Sequence, residues 1–120
     1  MSTILIAEDN LVNRELLREM LEAKNYRVAE ARDGKEALAK IDEVKPDLVL
    51  LDLNMPVLDG FAVIRLIREN PTFRQLPVLA VTAYAMKQDR ERVLRAGFDS
   101  YIAKPIDSAE LFKELKKFIS

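Results

Sequence analysis

The residues Leu48-Val49-Leu50-Leu51-Asp52 form an apolar run that ends in a carboxylate. Such a run is typical of a strand in a parallel sheet that helices cover on both faces. Three further apolar runs also end in polar residues: 4–7 before Glu8-Asp9, 78–81 before Thr82, and 101–103 before Lys104-Pro105. Because the carboxyl ends of parallel strands lie at one edge of a sheet, we expect these polar residues to line one crevice.

Segments with helical spacing alternate with these strands. Apolar residues between Leu11 and Leu21 recur at that spacing, and a turn at Asn25-Tyr26 follows. The pattern predicts a second strand at 27–31 and later helices at 35–43, 61–69, 87–96 and 108–118. The alternating strand 27–31 is expected at a sheet edge, and strand–helix alternation of this kind implies right-handed parallel crossovers.

Turn and cap signals mark the boundaries of the helices. Gly97 is expected to cap the fourth helix, and Asp107 or Ser108 is expected to begin the last one. Met55-Pro56 and Asp59-Gly60 are turn signals after the central strand. The whole pattern predicts one α/β domain over residues 1–120, with a doubly wound parallel sheet.

The composition excludes several functions. The 120 residues carry a formal net charge of -1, so no overall field attracts nucleic acid or an anionic membrane. The chain has no cysteine and no histidine, which excludes a thiolate metal site and a phosphohistidine carrier. Without imidazole to activate a hydroxyl, the natural nucleophile is a carboxylate. The sequence lacks a membrane span or signal-peptide pattern, and we expect a cytoplasmic protein.

Asp52 is the predicted nucleophile, and the acids around it predict a metal site. Glu8, Asp9 and Asp52, with the backbone carbonyl of Asn54, form a set of oxygen ligands that suits Mg2+. Such crowded acids repel one another without a cation. Considered singly, each aspartate has an alternative interpretation as a cap of the segment that follows it.

Two further residues suit a phosphoryl group at this edge. The Thr82 hydroxyl can donate to a phosphoryl oxygen, although a threonine that simply ends a strand is the alternative. The Lys104 ammonium can neutralise phosphate oxygens, and the following Pro105 belongs to the residue type at which cis peptide bonds occur.

Together these motifs resemble the receiver domains of bacterial response regulators. They are Glu8-Asp9, the stretch from Leu51 to Pro56 with Asp59-Gly60, Thr82-Ala83 and Lys104-Pro105, in the same order and spacing. The resemblance implies a flavodoxin-like (βα)5 fold with strand order 2-1-3-4-5, which is known from the chemotaxis member of the family. It also implies that Asp52 accepts the phosphoryl group, that Glu8, Asp9 and the Asn54 carbonyl hold Mg2+, and that Thr82 and Lys104 bind phosphoryl oxygens.

The resemblance extends to partners and to a switch. It implies a sensor histidine kinase or a histidine phosphotransfer protein as donor, with the chain catalysing its own phosphorylation and dephosphorylation. Tyr101 matches the aromatic whose rotamer follows phosphorylation through Thr82. A downstream protein would bind the face of the fourth helix, fifth strand and fifth helix, where the candidate residues are Tyr84, Lys87, Arg90, Glu91 and Phe112. Residues 83–87 also resemble receivers of the cell-division regulator type and of hybrid kinases.

Two other classes share parts of this pattern. A haloacid-dehalogenase phosphatase also forms an aspartyl phosphate, but its second acid would stand where this chain has Asn54. A flavin-binding module shares the topology, but the acids after Ala7 would repel a flavin phosphate. Direct nucleic-acid binding would need a basic helix or an additional domain, and none is evident.

Overall fold

The computed structural model describes residues 2–83 and 87–119. Strands and helices alternate along the chain as β1 (Thr3–Ala7), α1 (Leu11–Glu22), β2 (Arg27–Ala31), α2 (Gly34–Val44), β3 (Leu48–Asp52), α3 (Gly60–Glu69), β4 (Val78–Thr82), α4 (Lys87–Ala96), β5 (Ser100–Ala103) and α5 (Ser108–Leu115). The five strands form one parallel sheet in the order β2-β1-β3-β4-β5. The predicted fold class and strand order are confirmed, and β2 lies at an edge as expected.

Successive side chains of each strand point to opposite faces of the sheet, and helices cover both faces. The central strands are therefore buried on both sides. Leu5 and Val49 pack with the apolar residues of α2 and α3, including Ile41 and Ile64. On the other face, Ile4, Ile6 and Leu50 pack with Leu17 of α1 and Leu111 of α5. Each fully buried leucine or isoleucine stabilises the fold by about 2 kcal/mol relative to an exposed one. The two layers pack against both faces of the sheet beneath its carboxyl edge.

Four of the helices begin after a residue whose side chain accepts a hydrogen bond from a backbone N–H group of the first turn. These N-caps are Asn10, Asp33, Asp59 and Asp107. For α5 the cap is therefore Asp107, and Ser108 is the first helical residue. Gly97 follows α4 with a φ of 116°, a left-handed conformation that glycine adopts readily, as its predicted capping role requires.

The predicted end of the last helix was wrong. Helix α5 ends at Leu115, and residues 116–118 form a turn instead of continuing to Phe118. The Lys117 and Phe118 N–H groups donate to the carbonyls three residues earlier, at 3.1 and 3.0 Å. Bonds of this type tighten the final turn of a helix, and apolar spacing alone does not distinguish them from α-helical bonds.

The loop after β3 brings α3 close to the strand that ends in Asp52. A Cβ atom on Gly60 would lie 2.8 Å from the Cα of Leu53 and 2.9 Å from the carbonyl oxygen of Asp52. The Gly60 N–H also donates to the Leu53 carbonyl at 3.2 Å, and Leu58 N–H donates to the Pro56 carbonyl at 2.7 Å. A side chain at Gly60 would therefore displace the backbone that carries Asp52.

Within the described residues, none of the helices has the length and apolar character needed to cross a bilayer.

Candidate phosphoacceptor site

Three carboxylates meet at the carboxyl edge of the sheet. Glu8 follows β1 and Asp52 ends β3, and their exposed fractions are only 5% and 3%. Asp9 lies beside them and is exposed. One oxygen from each of the three side chains lies within 4.8 Å of the other two. Strand register explains the convergence, because Ala7 of β1 pairs with Leu51 of β3, so Glu8 and Asp52 occupy equivalent positions at the strand ends.

The Lys104 ammonium bridges the two buried acids. Its Nζ lies 2.9 Å from Asp52 Oδ2 and 3.1 Å from Glu8 Oε1. The backbone N–H of Lys104 donates to the Thr82 carbonyl at 2.8 Å, and the Lys104–Pro105 peptide bond is cis. The chain thus places one positive charge against two buried negative charges, which reduces their mutual repulsion.

Asp52 is held at both of its carboxylate oxygens. The N–H of Asn54 donates to Oδ1 at 2.9 Å, while Oδ2 pairs with Lys104. The same contact places the Asn54 backbone beside the Asp52 carboxylate. The sequence predicts that the Asn54 carbonyl acts as a metal ligand. Asp52 therefore projects into the crevice in a fixed orientation.

The acids and the lysine shift one another's protonation equilibria. The pKa of Glu8 is raised from 4.5 to about 7, first by burial and then by the hydrogen bond and negative charge of Asp52, against the opposing effect of Lys104. For Lys104, burial lowers the pKa, but hydrogen bonds and charges from Asp52 and Glu8 outweigh it and the pKa lies above its ordinary value. Glu8 is therefore costly to ionise until a cation compensates it, whereas Lys104 remains charged.

These oxygens fit a small divalent cation. Mg2+ prefers hard oxygen ligands, uses one or two carboxylates and keeps several waters. Two buried carboxylates and one exposed carboxylate provide that ligand type with an open side toward solvent. A cleft of about 690 Å³ lies beside Asp9, between the loop after β3 and α4, and is lined by residues that include Asp9, Asn54, Met55, Asp59 and Arg92.

Thr82 lies at the end of β4, next to the strand that carries Asp52. Its neighbour Val81 pairs with Asp52 in the sheet register, and Thr82 pairs with Ala103 of β5. The residue is fully buried. Its position next to Asp52 and Lys104 agrees with the sequence expectation that these three residues share one crevice.

Tyr101 lies on β5 in contact with α4. Arg90 Nη2 donates to the Tyr101 hydroxyl at 2.8 Å, and the guanidinium carbon lies 4.7 Å from the ring centroid. The tyrosine is therefore held at its hydroxyl and at its ring by a single side chain. Arg90 and Tyr101 line a cleft of about 300 Å³ together with Glu110 and Glu114 of α5.

Only part of the predicted output surface lies where the sequence suggested. Arg90 is on the α4–β5–α5 face, and Lys87 and Glu91 are exposed residues of α4. The prediction for Phe112 was wrong. Phe112 packs with the core on the α1 side of α5, where the Lys24 ammonium lies 5.4 Å from its ring centroid. Tyr84 lies outside the described residues.

Arg14 was not among the residues predicted from the sequence, although its side chain contacts the backbone of the site. Arg14 Nη1 donates to the backbone carbonyl of Glu8 at 2.9 Å. A signal was present, because Arg14, Leu17 and Leu21 occupy one helical stripe that is otherwise apolar. A charged residue in a buried stripe needs partners, and that requirement points to a structural or functional contact.

The sheet order and the acid–lysine site together define a class of protein. The family model of the response regulator receiver domain matches residues 4–116, and the chain belongs to that family. It is therefore a receiver domain of two-component signalling.

Particular relatives cover nearly the whole chain. The polar-differentiation response regulator DivK of Brucella anthropi is 38% identical over 117 residues, which cover 98% of this chain and 95% of DivK. The receiver domain of sensor histidine kinase PA1611 from Pseudomonas aeruginosa, solved with a magnesium ion coordinated in its active site cleft, is 40% identical with a TM-score of 0.90, covering 98% of this chain and 97% of that chain. The chemotaxis protein CheY4 of Vibrio cholerae is 28% identical with a TM-score of 0.92, covering 99% of both chains.

These findings do not support the phosphatase interpretation. The family match spans nearly the whole chain, and the position two residues after Asp52 holds an amide, Asn54, instead of a second acid. The family assignment likewise favours a receiver over the flavin-binding alternative.

Proposed function

We propose that this receiver accepts a phosphoryl group on Asp52 in a phosphorelay, and that residues 1–120 act as one receiver domain. The main support for the proposal is the contact of the Lys104 ammonium with both Asp52 and Glu8. Asp9 is the third carboxylate of this cluster. A nucleophilic carboxylate, a metal-ligand set and a cation for the transferred group are then within one crevice.

Glu8, Asp9, Asp52 and the carbonyl of Asn54 would hold Mg2+. When bound, Mg2+ supplies positive charge that polarises the phosphoryl oxygens and neutralises the charge that develops during transfer. The magnesium in the active site cleft of the PA1611 receiver supports this assignment. The buried acids of this chain also favour it, because binding a cation relieves their repulsion and the desolvation of Glu8.

Asp52 performs the bond-forming step. One of its carboxylate oxygens attacks the phosphorus of a phosphohistidine on the partner, the P–N bond breaks, and the electron pair leaves with the imidazole. The product is an acyl phosphate on Asp52. Since Asn54 N–H holds one carboxylate oxygen at 2.9 Å, the side chain needs little reorientation to attack.

Lys104 and Thr82 would bind the transferred group. The ammonium lies 2.9 Å from Asp52 Oδ2 and can shift its contact from the carboxylate to a phosphoryl oxygen. The hydroxyl of Thr82 would donate to another oxygen. The same residues would serve the hydrolysis, in which water attacks the phosphorus, the P–O bond to Asp52 breaks with its electron pair returning to the carboxylate, and inorganic phosphate leaves, so that the chain catalyses both its phosphorylation and its dephosphorylation.

The donor would be a sensor histidine kinase or a histidine phosphotransfer protein, and the output would be a change of the α4–β5–α5 face. Movement of Thr82 toward the phosphoryl group would open space for Tyr101 to turn inward. Arg90 holds Tyr101 in the present arrangement, so that turn would release the contact with α4. A protein target that distinguishes the two arrangements of this face would read the signal.

Incubation with acetyl phosphate and Mg2+, read by intact mass, tests the proposal. The parent should gain one phosphoryl group, and EDTA should prevent the gain. Asp52→Asn, a near-isosteric control, should remain unmodified. A normal gain in Asp52→Asn would reject the assignment of the phosphoacceptor.

A further inference from the structure

Arg14 is a buried arginine that the proposed chemistry does not use. Among the described residues, the buried polar or charged side chains are Glu8, Arg14, Asp52 and Thr82. Three of these belong to the proposed phosphoryl site, whereas Arg14 lies on α1, with 9% of its surface exposed. Burying a guanidinium is costly unless it is paired and hydrogen-bonded, so its contacts indicate what it does.

The guanidinium of Arg14 connects β2 to the end of β1. Its Nε donates to Glu30 Oε1 on β2 at 3.3 Å, and its Nη1 donates to the Glu8 carbonyl at 2.9 Å. The second oxygen of Glu30 accepts from Arg18 at 2.8 Å. Glu30 is thereby fixed by two arginines of one helix, and only Arg14 reaches on to the site.

The Glu8 backbone is held at both its N–H and its carbonyl group. Its N–H donates to the Ala31 carbonyl at 3.0 Å, and its carbonyl accepts from Arg14. The Glu8 carbonyl belongs to the peptide unit that joins Glu8 to Asp9, and that unit is planar. The contact from Arg14 therefore fixes the plane from which both adjacent acids project.

We infer that Arg14 is a positioning residue for the metal site, acting through the Glu8 carbonyl to set the relative orientation of Glu8 and Asp9. The inference rests on the proposed function, because it takes these acids as ligands of Mg2+. Outer contacts that orient metal ligands typically contribute about 10–100-fold to metal affinity. An arginine suits the task since its planar guanidinium holds its N–H donors in a fixed relative geometry, whereas the donors of an ammonium rotate freely.

Calorimetric titration of the full chain with magnesium chloride tests this role. Arg14→Met keeps an unbranched side chain of moderate length but removes both donors, and it should weaken magnesium binding about tenfold or more. Arg14→Lys keeps the charge and should not restore the parent affinity. Arg18→Met is the matched control, since it removes the other partner of Glu30 without touching Glu8, and it should bind magnesium like the parent.

Each outcome separates this inference from the proposed function. A parent chain that binds no magnesium would overturn the metal site itself. A parent that binds, with Arg14→Met binding equally well, would overturn only the role of Arg14. Equal weakening in Arg14→Met and Arg18→Met would also overturn it, because the loss of a Glu30 contact that the two arginines share would then explain both. If Arg14→Met does not fold, Glu30→Gln removes the ionic anchor of Arg14: weaker magnesium binding supports the inference, and unchanged binding overturns it.

Discussion

In the metal-free protein, stability should fall as pH rises from about 4.5 to about 8. The pKa of Glu8 is about 7 in the folded chain and 4.5 ordinarily. Between these values the folded state keeps a proton that the unfolded state has released, so rising pH favours unfolding. The stabilising effect is fully present below the unfolded pKa and is lost as pH rises through the folded pKa. The chain has no histidine, so no imidazole titrates in this window.

The magnitude follows from the gap between the two pKa values. At about 1.4 kcal/mol for each pKa unit, the gap between 4.5 and about 7 corresponds to about 3 kcal/mol. Access of water to the open side of the crevice reduces this, and we expect a loss of about 2 kcal/mol. Asp52→Asn removes the negative charge beside Glu8 but leaves its burial, so the variant should lose about half as much. At about pH 8 in EDTA, Asp52→Asn should therefore be more stable than the parent.

Urea unfolding at the two pH values, in EDTA, gives the free energy of unfolding directly. The parent and Asp52→Asn are measured side by side, so that pH effects common to both proteins cancel. Stability of the parent that rises with pH, or an identical pH dependence in the two proteins, would refute the argument that Glu8 and Asp52 share a strained pocket.

Three further outcomes are expected. Lys104→Ala should bind magnesium nearly as well as the parent in calorimetry, but it should accept phosphoryl groups from acetyl phosphate at least about tenfold more slowly. A loss of metal affinity as large as that of Asp9→Asn would contradict this division of roles. Magnesium at about 100 times its dissociation constant should stabilise the parent by about 2.7 kcal/mol in urea unfolding, and no effect would mean that the acids do not bind it. Arg90→Ala should destabilise the present position of the Tyr101 ring by about 1 kcal/mol and increase its inward population about fivefold. NMR of the ring resonances measures this population, and unchanged resonances would show that Arg90 does not restrain the ring.

The fold could be predicted from the sequence because its strand, helix and capping patterns agree with one another. The apolar strand around Leu50 requires cover on both faces, and the alternating helices supply it. The convergence of Glu8, Asp52 and Lys104 follows from parallel strands that end at one edge. Asp107 and Gly97 marked helix boundaries through well-understood capping chemistry.

Features that depend on the direction of a side chain could not be predicted in this way. Phe112 was assigned to the wrong side of α5, because sequence spacing alone did not show that its ring packs under Lys24 toward α1. The contacts of Arg14 and Arg90 depend on long side chains with many rotamers, which local propensity does not determine. Helix α5 ends three residues early because tighter terminal bonds satisfy the same apolar pattern.

The most direct measurement of the central claim is the chemical site of the phosphoryl group. The parent is phosphorylated with acetyl phosphate and Mg2+, then reduced with borohydride, which converts an aspartyl phosphate to homoserine, and digested for peptide mass mapping. We expect homoserine at residue 52 and at no other position, with none formed in EDTA. A phosphoryl group that resists reduction, as on the hydroxyl of Thr82, or homoserine at Asp9 in place of Asp52, would contradict it.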